Sequence, residues 1–144
     1  PGTGNVSYDP QHTEQMYYER KDKITRLADV IPAQEVYGPK SGELLVVSWG
    51  GTYGAVRSAV QRAHMDGHSV AHAHMRYLNP FPANLRDLLS RYRRVLVPEL
   101  NGGQLAFLLR GRFALNVQSY PKMQARPFKI NEVYGKIVEV IGNR

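Results

Sequence analysis

Cysteine is absent from this sequence. Its absence excludes disulfide bonds, thiolate nucleophiles, and zinc or iron–sulfur centres held by cysteine within the chain. Any redox chemistry in which the chain takes part must therefore place its cluster on another polypeptide or domain. Long hydrophobic runs are also absent, since the longest cover four or five residues, as at positions 105–109. A membrane-spanning helix needs about 20. We expect no membrane segment, and without an opening signal segment we expect a cytoplasmic location.

The sequence also lacks a concentrated run of one charge sign. The net charge is +7 and the pI is about 9.8, values that would suit a nucleic-acid binder. The basic residues are scattered, however, and "RYRR" at positions 91–94 is the only dense cluster. No zinc-finger spacing or aromatic RNA-binding motif is present, so we expect no nucleic-acid partner. The content of 42% hydrophobic and 22% charged residues in a chain of 144 is typical of a globular domain.

The first part of the chain predicts a helix that follows a turn-rich lead-in. Asp9 and Pro10 form a good helix start, because aspartate caps the free N–H groups and proline presets φ. Apolar residues then recur on one helical face from Ile24 to Ile31, and Pro32 is expected to end the element. We assign residues 1–40 to a lead-in segment and helix, and this helix either packs outside the domain formed by residues 41–144 or belongs to a neighbouring domain.

Residues 41–144 predict an α/β domain. The first strand, at residues 43–49, is a continuous apolar run, as expected of a strand covered on both faces. Helical stripes alternate with three further predicted strands, at residues 69–75, 94–100 and 113–120, and a last helical stripe includes Val133 and Ile137. Short connections between strands and helices indicate βαβ units. We therefore predict a three-layer α/β/α sandwich with a mostly parallel sheet.

The stretch "WGGTYGA" at residues 49–55 is the first candidate site. It follows the first strand, where open α/β sheets bind ligands. Thr52 could cap the next helix, and Gly50 and Gly54 permit a close backbone approach. The stretch is neither G-x-G-x-x-G nor a Walker A loop, and no acidic residue follows the second strand to hold a ribose. A tight turn into a closely packed helix is the preferred interpretation, and a nucleotide-binding module is the alternative.

The stretch "ELNGGQL" at residues 99–105 is the second candidate. Asn101 can accept from the first N–H groups of the next helix, and Gln104 can reach back as its capping-box partner. Glu99 stands where a phosphate would approach. Like charges about 5 Å apart at an effective dielectric of about 20 repel by about 3 kcal/mol. Glu99 therefore argues against a phosphate and for a neutral or cationic neighbour, such as another subunit.

Other combinations of reactive residues give weaker signals. His72 and His74 share one strand face, but Arg76 on the same side is a poor neighbour for a metal ion, and no carboxylate completes a ligand set. We interpret both histidines as partly exposed or interface residues and predict no metal site. No G-x-S-x-G elbow or marked pair of carboxylates is present. The residues alone thus predict an α/β domain without a self-evident active site.

Five stretches, in this order, resemble one family. They are "TGNVSYDPQHTEQMYYERKDKI", "LLVVSWGGTYGAV", "HMRYLNPFP", "VLVPELNGGQLAFLLRG" and "KMQARPFKINEV". Together they resemble the carboxyl-terminal part of the alpha subunit of 2-oxoacid:ferredoxin oxidoreductases, particularly the 2-oxoglutarate type. The residues that match the family's patterns at the candidate loops are Trp49, Gly50, Thr52, Gly54, Arg76, Glu99, Asn101, Gly103 and Gln104. Gly51 departs from the pattern, which has serine there.

The resemblance implies a fold similar to the carboxyl-terminal domain of transketolase. It also implies a structural and assembly domain of a thiamine-diphosphate-dependent enzyme that decarboxylates a 2-oxoacid, with coenzyme A as acyl acceptor and ferredoxin as electron acceptor. Thiamine diphosphate, magnesium and an iron–sulfur cluster would belong to the full complex, and none would bind to this chain. The expected partners are the beta subunit and a preceding pyrimidine-binding domain that this chain lacks, within a homo-oligomer. Residues 1–40 would then be the linker from that missing domain to residues 41–144. The nine matching residues are then candidates for an interface or a substrate approach, with no catalytic role.

Overall fold

The computed structural model describes residues 4–142. Its first element is the helix α1 (Pro10–Arg26), followed by a short 3₁₀ turn at Leu27–Asp29. The start of α1 is confirmed, because the Asp9 carboxylate accepts hydrogen bonds from the N–H groups of Gln11 (2.8 Å) and His12 (3.2 Å). The predicted continuation to Pro32 is wrong. No residue of α1 is buried, so tertiary packing does not support further helical turns.

Four parallel strands form the sheet. They are β1 (Gly42–Trp49), β2 (Val70–Met75), β3 (Tyr92–Glu99) and β4 (Val117–Pro121), in the spatial order β2-β1-β3-β4. All three pairings are parallel. The predicted parallel sheet is thus confirmed. The fourth strand begins later than predicted, because the preceding helix continues through Phe113 and then ends at Ala114, whose φ is +54°.

The helices cover both faces of the sheet. Helices α2 (Tyr53–Met65) and α5 (Ile130–Gly142) pack on the face that contains Leu44 and Val46. Helices α3 (Leu85–Ser90) and α4 (Gln104–Phe113) pack on the face that contains Leu45 and Val47. Successive residues of β1 therefore enter opposite hydrophobic cores, as strand geometry requires. This arrangement confirms the predicted three layers.

The strand order brings the two candidate loops to one edge. From β1, the chain first adds β2 on one side and then β3 on the other. The order therefore reverses between β1 and β3, and ligands of open α/β sheets bind at such a reversal, outside the carboxyl ends of the strands. The loop after β1 and the loop after β3 flank this point. No helix in residues 4–142 has the length and apolar character needed to cross a membrane.

Candidate functional site

The loop after β1 is a tight turn that is stabilised by Thr52. A 3₁₀ turn (Gly50–Thr52) connects β1 to α2. The Thr52 hydroxyl donates to the carbonyl oxygen of Trp49 (2.7 Å) and accepts from the Trp49 N–H (3.3 Å). The prediction that this side chain caps α2 is therefore wrong, because the interposed turn directs the hydroxyl back towards Trp49. The preferred interpretation, a tight turn into a packed helix, agrees with this geometry.

The glycines of this loop are not equally constrained. Gly50 has a φ of +55°, which strongly favours glycine. A Cβ added to Gly51 or Gly54 would meet no atom within 4 Å. The serine that the family pattern has at position 51 would therefore be accommodated. No backbone of the described chain packs closely on Gly54, so the space beside it is open in the isolated chain.

Glu99 at the end of β3 is fully buried. Its two carboxylate oxygens accept hydrogen bonds from the N–H groups of Leu105 (2.7 Å) and Ala106 (3.0 Å), in the first turn of α4. The prediction that Glu99 faces a neighbouring subunit is thus wrong for this conformation. The carboxylate instead supplies the negative charge that a helix N-terminus favours. The inference that Glu99 disfavours a phosphate here agrees with this geometry, although the reason differs from simple repulsion.

Asn101 completes the hydrogen bonding at the start of α4. Its side-chain oxygen accepts from the N–H groups of Gly103 (2.7 Å) and Gln104 (3.0 Å), which confirms its predicted capping role. Gln104 takes part through its backbone N–H, and the described residues show no capping-box bond from its side chain. Four successive N–H groups, at positions 103–106, thus have acceptors within the chain.

Position 103 requires glycine for two reasons, its backbone conformation and the lack of space for a side chain. Its φ is +92°, and a Cβ at this position would lie 2.6 Å from the hydroxyl oxygen of Ser119 in β4. That hydroxyl oxygen is buried and has no hydrogen-bond partner in the described part of the chain. The family glycine at this position therefore allows α4 to start directly beside β4. Its role is structural.

A third group of residues joins the two histidines of β2 to Ser48, a contact that we did not predict from the sequence. The Ser48 hydroxyl in β1 is fully buried and contacts two imidazoles of β2, His72 at Nε2 (2.7 Å) and His74 at Nδ1 (2.8 Å). The parallel register explains this contact, because Ser48 pairs with His74 and Val46 with His72. The expected shared face is confirmed. The expected exposure is wrong for His72, which is only 2% exposed.

Both imidazoles are neutral near pH 7. Burial, with smaller contributions from His74 and Arg57, lowers the pKa of His72 to about 4. Burial, followed by the charge of Arg76, also lowers the pKa of His74. The Ser48 hydroxyl has one proton, so it donates to one ring and accepts an N–H from the other. The tautomers of the two histidines are therefore coupled through Ser48.

These histidines line a cavity of about 800 Å³ at the outer side of β2. Residues 32–37 form one wall, and Tyr53 and Arg57 of α2 and Arg76 just after β2 also line the cavity. Gln34 donates from its side chain to the carbonyl oxygen of His74 (3.0 Å), and Tyr37 pairs with His72 through the backbone. Sequence reasoning missed this wall, because residues 32–37 fell within the predicted lead-in.

The nine predicted site residues separate into two places. Those of the loops after β1 and β3 flank the reversal of strand order, whereas Arg76 lies at the histidine cavity. No group of three or more histidine, aspartate or glutamate side chains within residues 4–142 is arranged to hold a metal ion. The cavity instead has arginines, tyrosines and neutral imidazoles.

Comparison with known proteins assigns the chain to a family. The model of the "Pyruvate:ferredoxin oxidoreductase core domain II" family matches residues 42–140. The chain belongs to this family. The match spans the whole sheet, helices α2 to α4 and all but the last two residues of α5. The region of this chain that matches core domain II is therefore the α/β sandwich described above. Helix α1 lies before the matched region.

Relatives of known sequence are alpha-type subunits of oxidoreductases. The chain is 45% identical over 133 residues to 2-oxoglutarate oxidoreductase subunit KorA of Mycobacterium tuberculosis, covering 92% of this chain and 20% of that protein. It is 29% identical over 144 residues to the alpha subunit of 2-oxoacid:ferredoxin oxidoreductase 2 of Aeropyrum pernix, covering 96% and 22%. The chain thus spans about a fifth of the length of these relatives.

Two solved structures have a fold similar to that of this chain. The 2-oxoglutarate:ferredoxin oxidoreductase of Magnetococcus marinus superposes with a TM-score of 0.86 at 28% identity, covering 98% of this chain and 25% of that one. A split-gene transketolase superposes with a TM-score of 0.50 at 16% identity, covering 75% and 40%. The second match concerns the fold alone. It supports the expected likeness to transketolase.

Proposed function

We propose that the chain is the carboxyl-terminal structural domain of the alpha subunit of a 2-oxoacid:ferredoxin oxidoreductase, of the 2-oxoglutarate type. In this proposal it supports oxidative decarboxylation to an acyl-CoA that the complete enzyme carries out. The observation that carries the proposal is the 45% identity over 92% of the chain with a 2-oxoglutarate oxidoreductase subunit. The Magnetococcus marinus enzyme, which has the same domain fold, was solved with 2-oxoglutarate, coenzyme A and succinyl-CoA bound.

An assembly role accounts for the apolar surface of the chain. Helix α1 exposes Tyr17 (60%) and Tyr18 (51%) and buries nothing. Helix α4 exposes Phe107 (72%) and Leu108 (52%) next to the loop after β3. Large exposed apolar side chains that lie close together are typical of protein–protein contact surfaces. These two surfaces are the ones that we assign to the rest of the alpha subunit, to the beta subunit and to a second copy in a homo-oligomer.

Thiamine diphosphate, magnesium and the iron–sulfur cluster belong, in this proposal, to other domains of a cytoplasmic complex. The residues of this chain do not fit a diphosphate at the start of α4, because Glu99 and Asn101 already accept from the N–H groups that would hold it. A cluster would need thiolate ligands, and the chain contains no cysteine. The pyrimidine-binding domain would precede residue 1, and ferredoxin and coenzyme A would act on the assembled enzyme.

Reconstitution tests this function. The full-length alpha subunit and an alpha subunit lacking residues 41–144 would each be co-expressed with the beta subunit, and ferredoxin reduction by 2-oxoglutarate and coenzyme A would be measured. We expect activity and a stable complex only with the full-length subunit, and no activity from the 144-residue chain alone. Full activity and assembly without residues 41–144 would refute the proposal.

Two further measurements separate the remaining functional hypotheses. Calorimetry of the 144-residue chain with thiamine diphosphate, coenzyme A or nucleotides is expected to show no one-to-one binding at the loop after β1, whereas such binding would favour a free-standing nucleotide-binding module. The net charge of +7 could also steer an acidic ferredoxin to the complex. The rate of ferredoxin reduction should then fall with rising salt, and a rate independent of ionic strength would remove that role.

A further inference from the structure

The cavity beside β2 contains cationic groups without carboxylate partners. Arg57 lies over the ring of Tyr37, with its guanidinium carbon 3.0 Å from the ring centroid. Arg76 is exposed at the cavity rim. Neither arginine forms an ion pair within the described residues. Glu35 is the one acidic residue that lines the cavity, and it lies in the exposed part of the wall. The lining therefore has an uncompensated positive charge.

His74 offers a third polar group to the cavity. Its Nδ1 contacts Ser48, so Nε2 is the ring nitrogen that has no partner in the part of the chain that the structure describes. When Ser48 donates to Nδ1, Nε2 of the neutral ring bears the proton and becomes a donor. In this arrangement the same hydroxyl accepts from Nε2 of His72, so the tautomers of the two rings are linked. A donor held in this way is suited to an anionic group.

Aromatic rings provide an apolar surface beside these donors. The ring of Tyr53 lies against both imidazoles, with centroid distances of 5.8 Å to His72 and 4.9 Å to His74. Tyr37 and Tyr77 also line the cavity. Its volume of about 800 Å³ falls within the range of about 300–1,000 Å³ that is common for small-molecule sites.

We propose that this cavity binds an organic anion, whose carboxylate or phosphate group is held by Arg57, Arg76 and Nε2 of His74 and whose planar body lies against Tyr53. A metal ion is disfavoured by the two arginines. A nucleophilic role for Ser48 is disfavoured because its hydroxyl is buried between the imidazoles. The site adjoins the stretch at residues 49–55 through Tyr53. Its proposed anion-binding groups, Arg57, Arg76 and His74, lie outside both candidate loops, so the proposal does not depend on the assembly function.

Three aromatic probes of similar shape test the site on the 144-residue chain, which contains both of its own hydrophobic cores. Benzoate and phenyl phosphate carry the two candidate anionic groups, and benzyl alcohol is neutral. NMR spectra of the histidine rings and of Tyr53 would be recorded during each titration, with sodium chloride as the ionic-strength control. We expect saturable shifts at His74 and Tyr53 with at least one anion. The anion that binds more tightly identifies the ligand's group.

Two outcomes of these titrations would overturn the proposal. The first is the absence of a saturable shift at His74 with both benzoate and phenyl phosphate. The second is an equal response to benzyl alcohol or to sodium chloride, because the site would then not recognise an anion.

A matched pair of variants separates the site from the general positive charge. Arg76→Gln removes one exposed charge at the cavity, and Arg112→Gln removes one exposed charge from α4 on the opposite face of the sheet. Loss of a charge-assisted hydrogen bond should raise the Kd of the better anion by about tenfold for Arg76→Gln. The Kd should stay within about twofold for Arg112→Gln. Equal weakening by both variants would overturn the proposal.

Discussion

Acidification is expected to destabilise the folded chain because His72 is buried as a neutral imidazole. Its pKa is about 4 in the folded chain, against an ordinary value of 6.5. Between these two values the unfolded chain binds more protons at this residue than the folded chain does. Protons therefore favour unfolding. The stabilisation that the neutral ring provides is fully present above about pH 6.5 and is lost as the pH falls towards about 4.

The size of the effect follows from the two pKa values. For one group with these values, linkage gives a loss of roughly 2 kcal/mol in the free energy of unfolding between about pH 7 and about pH 5. The lowered pKa of His74 acts in the same direction. A loss of this size is a substantial fraction of the roughly 5–15 kcal/mol by which domains are stable.

Urea denaturation across this pH range measures the effect. Trp49 is the only tryptophan and is half-buried at the end of β1, so its fluorescence reports on the sheet, and circular dichroism reports on the helices. The His72→Gln variant should be less stable at neutral pH, but its stability should change much less with pH. His12→Gln on the exposed helix α1 removes an imidazole without touching the core, and it should retain the pH dependence of the wild type.

Two results would refute this account of His72. One is a free energy of unfolding of the wild type that does not fall between about pH 7 and about pH 5. The other is an unchanged pH dependence in His72→Gln, since the protons that destabilise the chain would then bind elsewhere.

Three further predictions follow from the packing and use the same urea assay. Glu99→Gln should cost about 2 kcal/mol, because the amide NH₂ would replace one of the two oxygens that each accept an N–H of α4 and would leave that N–H unpaired. The exposed Glu35→Gln should change stability by less than about 0.5 kcal/mol, and equal effects would contradict the buried role. Gly103→Ala should cost more than about 1 kcal/mol, since both its φ and Ser119 oppose a Cβ. Gly54→Ala should be neutral or stabilising by up to about 1 kcal/mol, and a larger loss there than at Gly103 would contradict the structure. Removal of residues 1–26 should leave cooperative unfolding intact because α1 buries nothing, and loss of that transition would show that α1 belongs to the folded unit.

The sheet could be predicted from the sequence because its signals are local. The continuous apolar run of β1 and the stripes of the following helices each depend on residues close in sequence, and together they imply parallel strands. The end of α1 could not be predicted in the same way. Ile24 and Leu27 of its apolar stripe are exposed and Ala28 and Ile31 are only partly buried, so the periodicity alone overestimated the length of the helix.

The histidine cavity depends on information that the sequence does not contain. Ser48 meets His74 only because β1 and β2 are adjacent and parallel in one register, and residues 48 and 74 are far apart in the chain. Glu99 shows a related limit. The sequence shows that Glu99 precedes a helix. Whether its carboxylate points outward or accepts from the N–H groups of Leu105 and Ala106 depends on how closely α4 follows β3 in the folded chain.

The backbone pairing of Tyr37 with His72 has a consequence for self-association. The two residues exchange hydrogen bonds of 2.8 and 2.9 Å, so the peptide groups of β2 that would face outward at that point are already engaged. At the other flank, β4 has no neighbouring strand beyond it within residues 4–142. An edge strand with unpaired N–H and C=O groups can form backbone hydrogen bonds with a strand of another polypeptide. Of the two flanks, the one at β4 is therefore the more open to strand addition from another molecule.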